Sequence, residues 1–236
     1  MLITLLKALV LVPVTVFFSF TAIASLPLDR TGGLYNSVVR TWSRSVLWIF
    51  CVRIHTQGLE NLQPGVRYVY VANHASLFDI PAILVGVPDE IRIIWKRELA
   101  KIPVWGWALK YGPYISIDRG NAKEAMGSID QAAERIRGGA SVLVFAEGTR
   151  TLDGKLQPFK RGAFALAARS GVPIVPVAVN NSFQILPKGS WRIRPADIEI
   201  VLDKPIETVG VSGKEAEMKL MERVHAVLEK NVEEQS

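Results

Sequence analysis

The sequence predicts an α/β fold, a largely parallel or mixed central sheet flanked by helices, preceded by N-terminal membrane-attaching helices. Three observations predict it. An uncharged apolar run lies near the N-terminus; short β-rich runs alternate with helical stretches beyond Gly58; and one strand, Ser141 to Phe145, is apolar almost throughout, as a strand covered on both faces is. With 236 residues, 49% hydrophobic and 21% charged, the chain can bury a sizeable core and is too apolar to be disordered. Lys and Arg number 28 against 22 Asp and Glu, a net +6 that suits an anionic partner without choosing among lipid surface, nucleotide and nucleic acid.

From Ala8 to Leu28 no residue is charged. At about 1.5 Å rise per residue this run is roughly 31 Å long as a helix, the thickness of a bilayer core. Lys7 before it and Ala22-Ile23-Ala24 near its end also fit a cleaved signal peptide, while Pro13 and the interspersed Ser and Thr fit a kinked or half-inserted segment. Leu34 to Ile54 is amphipathic: Ser37, Arg40 and Arg44 share one helical face, and Val38, Val39, Trp42, Val46 and Ile49 populate another. It reads as an interfacial helix with Trp42 and Trp48 at headgroup level, or as a helix packed on the domain with its arginines in solvent. Arg30, Arg40, Arg44 and Arg53 follow the first segment, which places the domain on the cytoplasmic face of the cell (inner) membrane; Lys7 pulls the other way. Residues 1–57 are thus the expected attachment region and 58–236 one α/β domain.

In that domain the expected strands are Val66 to Ala72, Ile91 to Trp95, Tyr114 to Ile117, Ser141 to Phe145, Pro173 to Val179 and Asp197 to Leu202. The expected helices are Asp79 to Val85, Val104 to Tyr111, Ala122 to Ile136, Arg161 to Ser170 and Lys214 to Glu229. In such an arrangement the loops at strand ends carry function.

Several chemistries are excluded. One cysteine and three histidines make neither a disulfide nor a Cys/His zinc cluster, so no metal is expected. Gly148 to Gly154-Lys155 misses the P-loop spacing by one residue and has Leu156 where Ser or Thr is needed. No G-x-S-x-G elbow occurs. No basic stripe with interleaved aromatics is present, so nucleic acid is not an expected partner.

Asn73-His74-Ala75-Ser76-Leu77-Phe78-Asp79 follows the first of these strands. In a regular helix His74 and Asp79 would lie about 140° apart. A strand-to-helix corner removes that separation, with His74 in the turn and Asp79 in the first helical turn, where the helix dipole favours a carboxylate. A carboxylate on one imidazole nitrogen leaves the other free as a general base for an alcohol nucleophile. If the electrophile is a thioester, its thiol, with a pKa of about 8.5, leaves without a second catalytic acid. The same residues also read as a capping box, Ser76-x-x-Asp79, beside a satisfied turn histidine. Cations gather at other strand ends: Arg150 in Glu147-Gly148-Thr149-Arg150, Arg119 after Ile117, and Lys96-Arg97. Arginine in such places suits phosphate, although each alone also reads as a solvated surface charge.

The motif from His74 to Asp79 resembles the H-x4-D motif of the glycerolipid acyltransferases, specifically the 1-acyl-sn-glycerol-3-phosphate acyltransferases. Ile117-Asp118-Arg119, Glu147-Gly148-Thr149-Arg150 and Val172-Pro173-Ile174-Val175-Pro176-Val177 resemble that family's later blocks, in order. The match covers about Asn73 to Val177, with Ala146 where proline is common and Thr151 where serine is common. The resemblance implies that His74 deprotonates an acceptor hydroxyl for attack on an acyl thioester and that Asp79 orients it. Arg119 and Arg150 would hold the phosphate of lysophosphatidate, with Lys96 in a similar role, and Glu147 would order the acceptor site with Gly148 and Thr149. The implied donor is acyl-CoA or acyl carrier protein, with no cofactor, and the implied partner is the phospholipid bilayer. Another lysolipid, such as a lyso-ornithine lipid, is the alternative acceptor; a non-catalytic lipid-binding protein is the alternative from a different class.

Overall fold

The computed structural model of the chain describes residues 2–117 and 122–233. Two helices come first, α1 (Leu2–Ser25) and α2 (Gly33–Phe50). The strands are β1 (Ile54–Gln57), β2 (Val69–Ala72), β3 (Ile91–Lys96), β4 (Ile115–Ile117), β5 (Ser141–Phe145), β6 (Ile174–Asn180) and β7 (Ile198–Leu202). Between and after them run α3 (Asp79–Gly86), α4 (Trp105–Tyr111), α5 (Ala122–Arg137), α6 (Gly162–Ser170), the single turn α7 (Ser182–Ile185) and α8 (Lys214–Asn231).

One sheet in the order β1-β7-β6-β2-β5-β3-β4 forms the centre, parallel except between β6 and β7. Alternation along the strands sorts side chains onto two faces. Tyr70, Ile93 and Val175 pack with Phe50, Ile83 and Leu109 of α2, α3 and α4. Val71, Val142 and Ile174 pack on the other face with Ala133, Phe164 and Val224 of α5, α6 and α8. Helices therefore cover both faces of the sheet, which is why β2 can be buried at every position.

The N-terminal helices belong to this packing. α2 buries Tyr35, Val46, Leu47 and Phe50 against the domain, while Trp48 remains 82% exposed. Arg40 is not on a solvated face: its guanidinium donates to the carbonyls of Val87 and Asp89, at 3.0 and 2.7 Å, and docks the helix onto the chain between α3 and β3. α1 runs against α2, joined by Trp42 Nε1 donating to Thr15 Oγ1 at 3.1 Å. Outward-facing Leu5, Leu9, Val12, Phe17 and Phe20 stay exposed. Thr4–Ser25 is long and apolar enough to cross a membrane by length and composition.

Several boundaries move by one to three residues, β2 beginning at Val69 instead of Val66 among them, and one larger move adds a strand. The amphipathic run expected to 54 stops at Phe50, because Cys51 turns left-handed at φ 58° and its N–H returns to the carbonyls of Leu47 and Trp48. The residues beyond it form β1, which pairs in parallel with β7. Pro176 lies within interior β6. Its carbonyl accepts from Asp203 N at 3.0 Å, just past the last β6–β7 pair, Val177 with Leu202. A strand residue's N–H and C=O point to the same side, so the missing donor falls where the β7 ladder has already ended and the pairing with β2 is untouched.

Candidate active site

The register brings the functional loops to one edge. Ala72 lies opposite Phe145 and Val177, so Asn73-His74 and Ala146-Glu147 leave the sheet side by side. Ile93 aligns with Leu143 and Lys96 with Ile117, so the end of β3 reaches the same edge. Chain order runs outward to both sides of β2, which opens a crevice there. Asn73 secures the corner: its side chain donates to Val179 O at 3.0 Å and accepts from Val179 N at 2.8 Å.

At that corner His74 Nδ1 lies 2.7 Å from Asp79 Oδ2. The same oxygen accepts the backbone N–H groups of Ala75 at 2.8 Å and Ser76 at 2.9 Å. Of the expected capping box only the carboxylate half forms: Asp79 takes Ser76 N–H, while Ser76 Oγ donates to Leu186 O at 3.2 Å and the N-cap residue of α3 is Phe78, without a side-chain cap. The histidine–carboxylate pair shares that half, with three donors converging on one oxygen. Asp79 is completely buried, the His74 side chain is 15% exposed, and the imidazole stacks on the Phe145 ring at 4.0 Å between centroids. The ring is thus held in orientation from its edge and its face. Asp79 Oδ1 is buried and has no hydrogen-bond partner among the described residues, a cost in stability of the kind that functional sites carry.

Glu147 lies beneath the pair. Its Oε1 accepts His74 N–H at 2.6 Å and its Oε2 accepts Gln157 N–H at 3.3 Å, so the carboxyl holds backbone on both sides of the site. Thr151 N–H closes the arrangement by donating to His74 O at 2.8 Å. Gly148 takes φ +75°, which lets the loop turn directly after Glu147. Burial pushes the Glu147 carboxyl up to about 7 from 4.5; the two N–H bonds oppose this, and the charges of Asp79 and Asp153 add to it. The folded state thus keeps a proton that the unfolded chain releases, so stability falls as pH rises between about 4.5 and 7, by up to about 3 kcal/mol in all. Urea unfolding of wild type and Glu147→Gln across pH 4 to 8 checks this. The wild type should lose stability relative to the variant as pH rises; parallel curves would count against the assignment.

His74 opens on a cavity of about 540 Å3, within the ~300–1,000 Å3 range of ligand pockets. Its walls are mainly apolar and come from α1 (Leu11, Phe18), α2 (Trp42, Phe50), β3 (Trp95) and α4 (Leu109). Lys96, Gly148, Thr149 and Arg150 lie on the same cavity. Lys96 is half exposed and sits 3.3 Å from Glu98. Glu147 turns away from the cavity toward the backbone it holds. Arg119 lies outside the described residues. Lys188 carried no motif in the sequence, yet its ammonium donates to Thr149 Oγ1 at 3.0 Å and Arg150 O at 3.2 Å. The contribution of α1 and α2 to the walls was equally invisible, although packing of α2 on the domain was one of its two sequence readings.

The class so defined is an α/β protein with a histidine–carboxylate pair at the mouth of an apolar, cation-rimmed cavity. The chain belongs to the acyltransferase family, whose family model matches residues 53–180. It is 35% identical over 174 residues to a chloroplastic 1-acyl-sn-glycerol-3-phosphate acyltransferase of Brassica napus, covering 73% of this chain and 50% of that protein. It is 35% identical over 197 residues to a 1-acyl-sn-glycerol-3-phosphate acyltransferase of Pseudomonas aeruginosa, covering 81% of this chain and 75% of that protein. The crystal structure of the 1-acyl-sn-glycerophosphate (LPA) acyltransferase PlsC from Thermotoga maritima superposes with a TM-score of 0.83 at 28% identity, covering 98% of this chain and 93% of that one. The chain therefore spans about half the length of the Brassica relative and nearly the whole of the solved bacterial structure. The family that the motif order resembles and the α/β class are both borne out.

Proposed function

We propose that the chain transfers a fatty acyl group from acyl-CoA or acyl carrier protein to the free hydroxyl of 1-acyl-glycerol-3-phosphate, forming phosphatidate in phospholipid synthesis. The observation that carries this reading is the 2.7 Å pairing of His74 Nδ1 with Asp79 at the mouth of an apolar cavity that Lys96 and Arg150 share. With Nδ1–H directed to the carboxylate, Nε2 keeps its lone pair for the acceptor hydroxyl. As that proton moves to Nε2, the oxygen attacks the thioester carbonyl. The tetrahedral intermediate then expels the thiolate, which recovers the proton. The thioester brings its own activation, so no resident cofactor is required.

The apolar cavity fits an acyl chain, and the cations suit the phosphate of the acceptor. Arg119 and Arg150 are assigned to that phosphate, Lys96 to the same neighbourhood, and Glu147, Gly148 and Thr149 to shaping the loop that presents Arg150. In this reading the N-terminal region expected over 1–57 attaches the domain to a membrane through the exposed face of α1, with β1 (Ile54–Gln57) counted in the domain's sheet and the domain on the cytoplasmic side of the inner membrane.

Arg150→Ala should raise KM for lysophosphatidate by about 10- to 100-fold with a smaller change in kcat, as loss of a charge-assisted hydrogen bond does. Steady-state rates at varied acceptor check this. A fall in kcat at unchanged KM would remove Arg150 from acceptor binding.

A further inference from the structure

Beyond α1, a second apolar feature lies beside the site. The chain from Pro187 to Arg194 leaves α7 and carries Trp191, which is 94% exposed. This loop is held in shape. Ser190 N–H donates to Pro187 O at 3.0 Å, Arg192 N–H to Ser190 Oγ at 3.1 Å and Arg194 N–H to Ile185 O at 2.9 Å. At its base, Lys188 is bonded to Thr149 and Arg150 of the site loop, and Ile193 lines the cavity. A fixed segment therefore holds the largest apolar side chain available in water, next to the cavity mouth, with Arg192 and Arg194 exposed beside it. Leu152, two residues beyond Arg150, is 73% exposed as well.

We infer that this loop is an interfacial membrane contact, separate from α1, whose partner is a bilayer surface containing anionic phospholipid. The inference rests on the proposed lipid acceptor, which reaches the site from such a surface. Tryptophan belongs at headgroup depth, where its ring is dehydrated and its N–H stays wet. Each arginine beside it gains from the negative surface potential. An acidic carrier protein would also attract the arginines, but a lone indole at the tip of a short loop suits the headgroup layer better than a protein groove. Lys188 couples the loop to the rim: when Trp191 seats in the bilayer, the mouth is held against the surface from which an amphiphile enters.

The test uses the full chain with its only cysteine removed (Cys51→Ser), labelled with an environment-sensitive dye at Trp191→Cys or, as a control, at Glu60→Cys. Glu60 is exposed just after edge strand β1, which β7 and β6 separate from β2. In vesicles of phosphatidylcholine with phosphatidylglycerol, quenching of the 191 label by an aqueous quencher should fall about threefold or more, while the control label stays accessible. Equal accessibility of both labels would overturn the inference. Separately, the Arg192→Gln, Arg194→Gln double variant should raise KM for lysophosphatidate in anionic vesicles by about 25-fold, about fivefold per arginine. Its turnover of a short-chain, monomeric lysophosphatidate should stay within about twofold of wild type. Equal loss on both substrates would make the loop merely structural, and loss confined to a carrier-protein donor with an accessible 191 label would mark a protein-docking loop; either overturns the membrane contact. A wild type that acylates neither lysolipid would count against the proposed function, while the quenching comparison would still report on the loop.

Discussion

Replacing His74 by alanine is expected to lower kcat for acyl transfer by at least about 10³-fold, with KM for either substrate nearly unchanged. A positioned base acts on the proton in flight, so its removal raises the barrier without weakening binding. The fold should survive. Asp79 Oδ2 keeps the Ala75 and Ser76 N–H groups, and the losses are one hydrogen bond and a stacking contact with Phe145 in a side chain already partly open to the cavity. Single-turnover transfer by pure variant, with its unfolding midpoint measured beside it, checks both halves. Full activity in a folded His74→Ala protein would remove the imidazole from the chemistry.

Substitutions at Asp79 separate chemistry from architecture. In Asp79→Asn the amide oxygen still accepts the two backbone N–H groups and the Nδ1 N–H, all of which meet at Oδ2. A neutral acceptor stabilises the imidazolium formed during transfer far less than a carboxylate does, and kcat should fall by about 10²- to 10⁴-fold. Stability should hold or rise, because a completely buried carboxyl, one of whose oxygens has no partner among the described residues, is replaced by a neutral group. Asp79→Ala should lose transfer to the same degree and also cost about 2–6 kcal/mol, since the Ala75 and Ser76 donors are left buried and unpaired. Denaturant unfolding and transfer assays on the pair of variants check this pattern. An Asn variant as unstable as the Ala variant would show that charge, more than hydrogen bonding, holds the corner.

Much of this was legible in the sequence because local chemistry and global fold agree. His74 and Asp79 stand too far apart for one regular helix but suit a strand-to-helix corner, and that mismatch located the pair. The apolar continuity of Ser141 to Phe145 placed β5 inside the sheet, and the Glu147 to Arg150 loop at its end. Other features depend on pairing between distant segments and left no local trace. β1 was missed because it starts where the amphipathic run was expected to end: Cys51 stops the helix early, and only β7, far along the chain, supplies a partner for Ile54–Gln57. Arg40 looked like a solvated charge because its acceptors, Val87 and Asp89, lie far along the chain. Lys188 has no motif around it, and Glu147, though singled out, could not be seen to hold His74 and Gln157 by their backbones.

The most direct test of lysophosphatidate acylation is to give the purified full chain labelled acyl-CoA and acyl carrier protein thioesters with a panel of acceptors: lysophosphatidate, a lyso-ornithine lipid and none. The expected result is labelled phosphatidate, with one thiol released per product and negligible release without acceptor. Thiol release that ignores the acceptor, acylation of the lyso-ornithine lipid alone, or no turnover with either donor would contradict it.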